Sequence, residues 1–159
     1  MTHDQILAAL AGGGNDRLAA ADRAMIDGEG AGPIAATLAA HAGDSDIGEP
    51  CIAALEKCGP PTVDQLDALV NLLNADELPA YWAATLIGRL GPAGAPAAAQ
   101  LAETAAAQRP IAVRERAVWA ISKIGPPASG CREALEPLTE SPQPRLARLA
   151  KQALAAVET

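Results

Sequence analysis

The dipeptide Gly-Pro recurs at Gly59-Pro60, Gly91-Pro92 and Gly125-Pro126, with successive glycines 32 and 34 residues apart. An apolar-periodic segment precedes each: IGEPCIAALEKCG, PAYWAATLIGRLG and VRERAVWAISKIG. One residue before each Gly stands Cys58, Leu90 or Ile124. Four before stands Leu55, Ile87 or Ile121; five before, Ala54, Leu86 or Ala120; eight before, Cys51, Ala83 or Ala117. Offsets of three, four and seven trace one face of an α-helix. The Gly is expected to end each helix as the residue just past the cap, and the Pro to prevent its continuation.

A second helix should follow each Gly-Pro. Leu69, Leu101 and Leu135 each stand ten residues past a Gly, so the second helix docks in a fixed register. Thr2 with Gln5 and Thr62 with Gln65 have capping-box spacing. Pro96 suits a first helical turn, and Ser129 and Ser141 suit N-caps. A further first-helix copy closes the chain at residues 146–158, and a degenerate one opens it at 17–28, before Gly32-Pro33. The map is ten short helices: 3–12, 16–27, 33–42, 47–58, 62–74, 78–90, 95–107, 112–124, 129–140 and 144–157. Pro137 should kink or split the ninth near Glu136, because it lacks an N–H and crowds the carbonyl four residues back. The domain expected is a single one over 1–159, with 1–15 an N-terminal capping helix and 16–158 the repeats.

Composition supports an all-α answer. About a quarter of the residues are Ala, Phe is absent, and the aromatics are Tyr81, Trp82 and Trp119. Ala favours helices that approach closely and is depleted in strands, so composition disfavours a β-sandwich or barrel. The net charge of −7 repels nucleic acid and anionic membrane. Residues 1–80 hold 13 acidic and 3 basic side chains, and 81–159 hold 6 and 9. That contrast predicts two oppositely charged ends of an elongated molecule. No stretch reaches the ~20 apolar residues a membrane span needs. Cys51, Cys58 and Cys131 form no CxxC pair. With no basic, apolar leader at Met1-Thr2-His3-Asp4, they predict reduced thiols in a cytoplasmic protein.

At these residues the chain resembles the HEAT-repeat family, in the short bacterial form also found in phycobilisome-lyase-like proteins. That family's first helix resembles V-R-x-x-A-x-x-A-L-x-x-I-G. Val113, Arg114, Ala117, Ala120, Ile121, Ile124 and Gly125 match it position by position. Ile47, Cys51, Ala54, Leu55 and Gly59 match with Gly48 in place of the Arg, and Pro79-Ala80 replaces Val-Arg in the middle copy. The resemblance covers about residues 16–158. It implies a right-handed α–α superhelix of stacked helix pairs, because one pair cannot bury its apolar face alone. It also implies two functions: a non-enzymatic protein-binding scaffold, and, as the alternative, a lyase-like role assisting cofactor or chromophore attachment.

Chemistry is sparsely provided. His3 and His41 stand at no metal-ligand spacing from each other or from a Cys, and no His-Glu dipeptide of the HEAT-like iron hydroxylases occurs. Cys51 and Cys58 occupy core positions of the repeat; Cys131 is open to exposure but has no assignable base. Neither a Walker A loop nor a dinucleotide fingerprint is present. The expectation is no enzyme, no cofactor and no metal. Some HEAT-like proteins excise damaged bases, a resemblance that would draw on Trp119, Arg114 and Arg116 with Glu115, but the charge and the few aromatics argue against a duplex binder. Arg145, Arg148 and Lys151 read as a solvated terminal face.

What remains is surface. In solenoids of this family the second helices line the concave side. Eight, twelve and fifteen residues past each Gly, and so opposite the docking Leu, stand Asp67, Asn71 and Asn74; Ala99, Glu103 and Ala106; and Glu133, Pro137 and Glu140. With Gln100 at its border, this polar, mildly acidic stripe predicts a groove for a basic or polar protein partner, on a monomer or weak homo-oligomer. Tyr81 and Trp82 are a second candidate: whichever ring is not buried between repeats becomes an exposed anchor.

Overall fold

The computed structural model describes residues 1–158; Thr159, at the end of the expected domain, lies outside the described residues. Among the described residues ten α-helices follow one another: α1 His3–Ala11, α2 Asp16–Asp27, α3 Ala35–Ala40, α4 Gly48–Lys57, α5 Leu66–Leu72, α6 Glu77–Arg89, α7 Ala98–Ala106, α8 Ile111–Ile124, α9 Arg132–Leu135 and α10 Pro144–Glu158. Among the described residues there is no strand, and no helix is long and apolar enough to cross a membrane.

The chain is an α-solenoid. The first helices α2, α4, α6, α8 and α10 form one layer, and the second helices α3, α5, α7 and α9 form the other. α6, α8 and α10 lie directly side by side, as do α2 and α4, while α3 touches both α4 and α6. Each second helix also packs against the first helix that follows it, and α1 packs on α2. One continuous apolar core runs from Ile6 to Val157. The positions picked out by the repeat build it: Cys51, Ala54, Leu55, Ala83, Leu86, Ile87, Ala117, Ala120, Ile121 and Ile124 are fully buried, as are Leu69, Leu101 and Leu135. Leu90 alone of that set is half-buried.

Close approach needs small residues. At Gly88 a Cβ would collide with the Trp119 ring and the Ala120 backbone, so this glycine sets the spacing of α6 and α8. The Gly-Pro junctions divide into two kinds. Gly91 and Gly125 take positive φ of 59° and 75°, as a helix-stopping glycine should. Gly59 does not: α4 ends at Lys57, Cys58 turns extended, and Gly59 donates its N–H to the Glu29 carbonyl at 3.3 Å. Gly28, which ends α2, is the third left-handed glycine.

Each long Gly-Pro link begins as a 3-10 turn rather than an α-helix: Gly28–Ile34, Gly91–Ala97 and Pro126–Cys131. Proline has no N–H to give the i−4 carbonyl, which suits short 3-10 pieces. Pro96 and Ser129 therefore sit inside these turns, not at α-helix starts. Pro137 splits the ninth helix as expected: α9 stops at Leu135 and Glu136–Glu140 is 3-10. Ser141 accepts the Gln143 N–H at 3.1 Å, just outside α10.

The Thr2–Gln5 capping box forms. The Thr62–Gln65 box does not. The Gln65 side chain still donates to the Thr62 hydroxyl at 2.9 Å, but it also crosses to the preceding repeat, accepting the Ala36 N–H at 2.9 Å and donating to the Gly32 carbonyl at 2.9 Å. Buried backbone groups of a neighbouring repeat win over an exposed local cap, because leaving them unpaired costs more.

Candidate functional site

Charge sorts by layer as well as along the chain. Arg89, Arg114, Arg116, Lys123, Arg145, Arg148 and Lys151 all stand on α6, α8 and α10. Asp67, Glu103, Glu133, Glu136 and Glu140 stand on α5, α7 and the α9 segment, where Arg132 is the lone base and is taken by Glu136 at 3.1 Å and Glu158 at 2.9 Å. The end-to-end polarity read from the sequence is thus crossed by a second one. In the C-terminal half the first-helix layer is basic and the second-helix layer acidic.

On the second-helix layer Asp67, Asn71, Glu103 and Glu133 are exposed, and so are Asn74 and Glu140. Gln100 is half-buried, and its carbonyl accepts the Thr104 hydroxyl at 2.9 Å. Beside Glu103 lies a cleft of about 410 Å³, lined by Ala95, Pro96, Ala98, Ala99, Ala102, Pro127, Ala128, Gly130 and Cys131. Ala99 and Glu103 are one turn apart on α7 and share a face, and Gly130 lies in the 3-10 turn that leads into α9 and its Glu133. A recess of about 300 Å³ between α3 and α5 is walled by Ala36, Thr37, Ala40, Ala68, Asn71 and Leu72. Both hollows exist because Ala and Gly leave the space between neighbouring second helices unfilled.

On the first-helix layer Trp82 is 8% exposed and belongs to the core. Tyr81 is half-buried and is the ring left available. It meets Trp82 edge-on, with centroids 5.5 Å apart. Its hydroxyl accepts an N–H from Arg116 at 2.6 Å. The Arg116 guanidinium lies 4.8 Å from the Tyr81 ring centre and 4.9 Å from that of Trp119. Lys123 stands 5.7 Å from the Trp119 ring, and Arg145 pairs with Glu115 at 3.2 Å. Tyr81, Glu115, Arg116, Trp119 and Arg145, with Ala112 and Leu149, enclose a groove of about 320 Å³ between α6, α8 and α10.

The three cysteine thiols are buried and held toward their neutral form. Burial pushes the Cys51 thiol up to about 12, and the negative charge of Asp44 adds to this. Burial likewise raises Cys58 and Cys131. Cys131, which the sequence left open to exposure, is buried and donates to the Ala98 carbonyl at 3.3 Å. His41 Nδ1 is 2.7 Å from Asp44, which also accepts from Arg17 at 2.8 Å. Burial acts to raise the Asp44 carboxyl, but bonds to His41 and Arg17 and their charges hold it below its ordinary value. His3 pairs with Asp27 at 3.2 Å. Among the described residues no group of three or more His, Cys, Asp or Glu side chains is placed to hold a metal ion.

Of the arginines that bridge repeats, Arg114 stands at the Arg position of the family motif, while Arg89 and Arg109 were not singled out in the sequence. Arg89 Nη1 donates to the carbonyls of Leu55 at 2.7 Å and Cys58 at 3.2 Å, closing the C-terminal end of α4. Arg109 donates to Ala75 at 2.6 Å, and Arg114 to Ala105 at 2.8 Å at the end of α7. Leu55 to Arg89 and Ala75 to Arg109 each span 34 residues, two more than the 32 from Gly59 to Gly91, so neither pair falls on equivalent repeat positions.

No protein-family model matches the chain, and no curated protein does. Among solved structures it is similar to a designed armadillo repeat protein, at 17% identity over 96% of this chain and 98% of that one, with a TM-score of 0.34.

Proposed function

We propose that this chain is a non-enzymatic protein-binding module of the HEAT-like type, and that its second-helix layer receives a basic or polar segment of a partner protein. The observation that carries this is the pairing of an exposed acidic ladder, Glu103 and Glu133, with an apolar cleft of about 410 Å³ on the same layer. Carboxylates at the rim steer a basic segment and fix its register. The Ala, Pro and Gly walls offer dry contact to a small apolar side chain between the basic residues. Three buried, unpaired cysteines suit a reducing compartment, consistent with a cytoplasmic location.

The test is affinity purification of the tagged protein from its native lysate at low and moderate salt, beside the Glu103→Lys/Glu133→Lys double variant. Both residues are exposed, so the variant keeps the fold. The expected result is a basic partner held by the native protein at low salt, weakened by added salt and lost by the variant. Equal recovery by both proteins removes the second-helix layer as the site.

A further inference from the structure

We propose that the groove between α6, α8 and α10 is a second docking site of opposite preference: it takes an acidic peptide segment that carries one apolar side chain between carboxylates. Three observations converge on this occupant. The first is a preorganised cation. The Arg116 guanidinium is held against the Tyr81 and Trp119 rings, and one N–H goes to the Tyr81 hydroxyl. A guanidinium carries five N–H donors, and Arg116, which lines the groove, gives one of them to Tyr81. A side chain already fixed by two rings loses little further freedom when it grips a carboxylate.

The second is charge. Arg116 and Arg145 line the groove, Lys123 stands outside its lining at 5.7 Å from the Trp119 ring centre, and Arg148 follows Arg145 along α10. The acid that faces them is Glu115, whose side chain is only 15% exposed and is paired with Arg145. The second-helix layer is acidic, so an acidic segment has this face to choose and that one to avoid. The third is the floor. Tyr81, Trp119, Leu149 and Ala112 are half-buried, and they leave a hollow of about 320 Å³ into which an aliphatic or aromatic side chain fits. Aromatic rings and an arginine in one partly desolvated hollow are the composition of an interface anchor point.

The probe is a fluorescein-labelled peptide with a single central leucine flanked by glutamates, followed by fluorescence polarisation on the full chain. Two control peptides replace the leucine by alanine or the glutamates by lysines. Binding of the first peptide should weaken about tenfold in Arg145→Glu and in Arg116→Gln, as expected for a lost or reversed charge contact in a partly buried site. Arg145 is 65% exposed, so its variant reports on binding even if Arg116→Gln loosens the ring stack. Trp119 emission should respond to the peptide, and this response should vanish in Trp119→Phe. The Glu103→Lys/Glu133→Lys variant should bind the acidic peptide at least as well as the native chain, which separates this site from the one on the second-helix layer. The proposal is overturned if the acidic peptide does not bind, or if Arg145→Glu binds it equally. It is also overturned if the lysine or alanine peptide binds as tightly, or if an oligodeoxythymidine displaces the acidic peptide.

Discussion

Replacing Gly88 by alanine sets two known effects against each other, and the structure decides the sign. Gly88 is buried in α6. In a helix interior Gly→Ala is favourable by about 1 kcal/mol, through backbone entropy. Here, however, the new Cβ would lie 2.9 Å from Trp119 Cε3 and closer still to Cζ3, with Ala120 Cα at 3.1 Å. Carbon atoms in contact prefer about 3.5–4.0 Å, so α6 and α8 must separate or the ring must leave its seat. Overpacking of this kind costs about 1–3 kcal/mol. Ala117, Ala120 and Ile121 on α8 are fully buried, which restricts sliding of the helix. The net expectation is a loss of about 1–2 kcal/mol, or a fall in Tm of about 5 °C for a chain of this size. Thermal and urea unfolding followed by circular dichroism measure it. Gly13→Ala, where a Cβ meets nothing within 4 Å, is the control that should not lose stability. Truncating the ring relieves most of the clash, so Gly88→Ala combined with Trp119→Leu should lose less than the sum of the two single variants. A rise in Tm for Gly88→Ala would refute the claim that this glycine sets the spacing of α6 and α8.

Two further outcomes follow from the same contacts. Arg89→Met leaves the Leu55 and Cys58 carbonyls at the end of α4 without their donor; unfolding in urea should show a loss of about 2 kcal/mol, partly restored by Arg89→Lys, and an unchanged midpoint would discount the clamp. Asp44 titrates below its ordinary value of 3.8 because His41 and Arg17 favour its charged form, so its contribution is complete above that value and fades as pH falls through the lower, folded one. The urea midpoint of Asp44→Asn should therefore be lower than that of the native chain near neutral pH and converge on it in acid; parallel pH curves would count against the assignment.

The sequence by itself determined the number of helices, their order and the face each one buries. These are local quantities: a helix turns every 3.6 residues, so Leu55, Ile87 and Ile121 had to share a face, and Leu69, Leu101 and Leu135 had to dock alike. Gly91, Gly125 and Pro137 act through backbone sterics that need no neighbour. The tertiary structure alone decided how repeats meet. Gln65 keeps a side-chain bond to Thr62, yet instead of capping the Thr62 N–H it takes backbone partners one repeat away. Gly59 carries the same Gly-Pro signature as Gly91, yet its N–H is claimed by Glu29 and its φ stays negative. Trp82 and Tyr81 are adjacent in the chain, and the solenoid buries one ring and leaves the other beside Arg116, 35 residues on. The acidic stripe could be counted out from helical offsets, but the basic groove could not. It needs three helices from three repeats to arrive side by side, and the distance between them is fixed by Ala, Gly and Trp packing that no single helix contains.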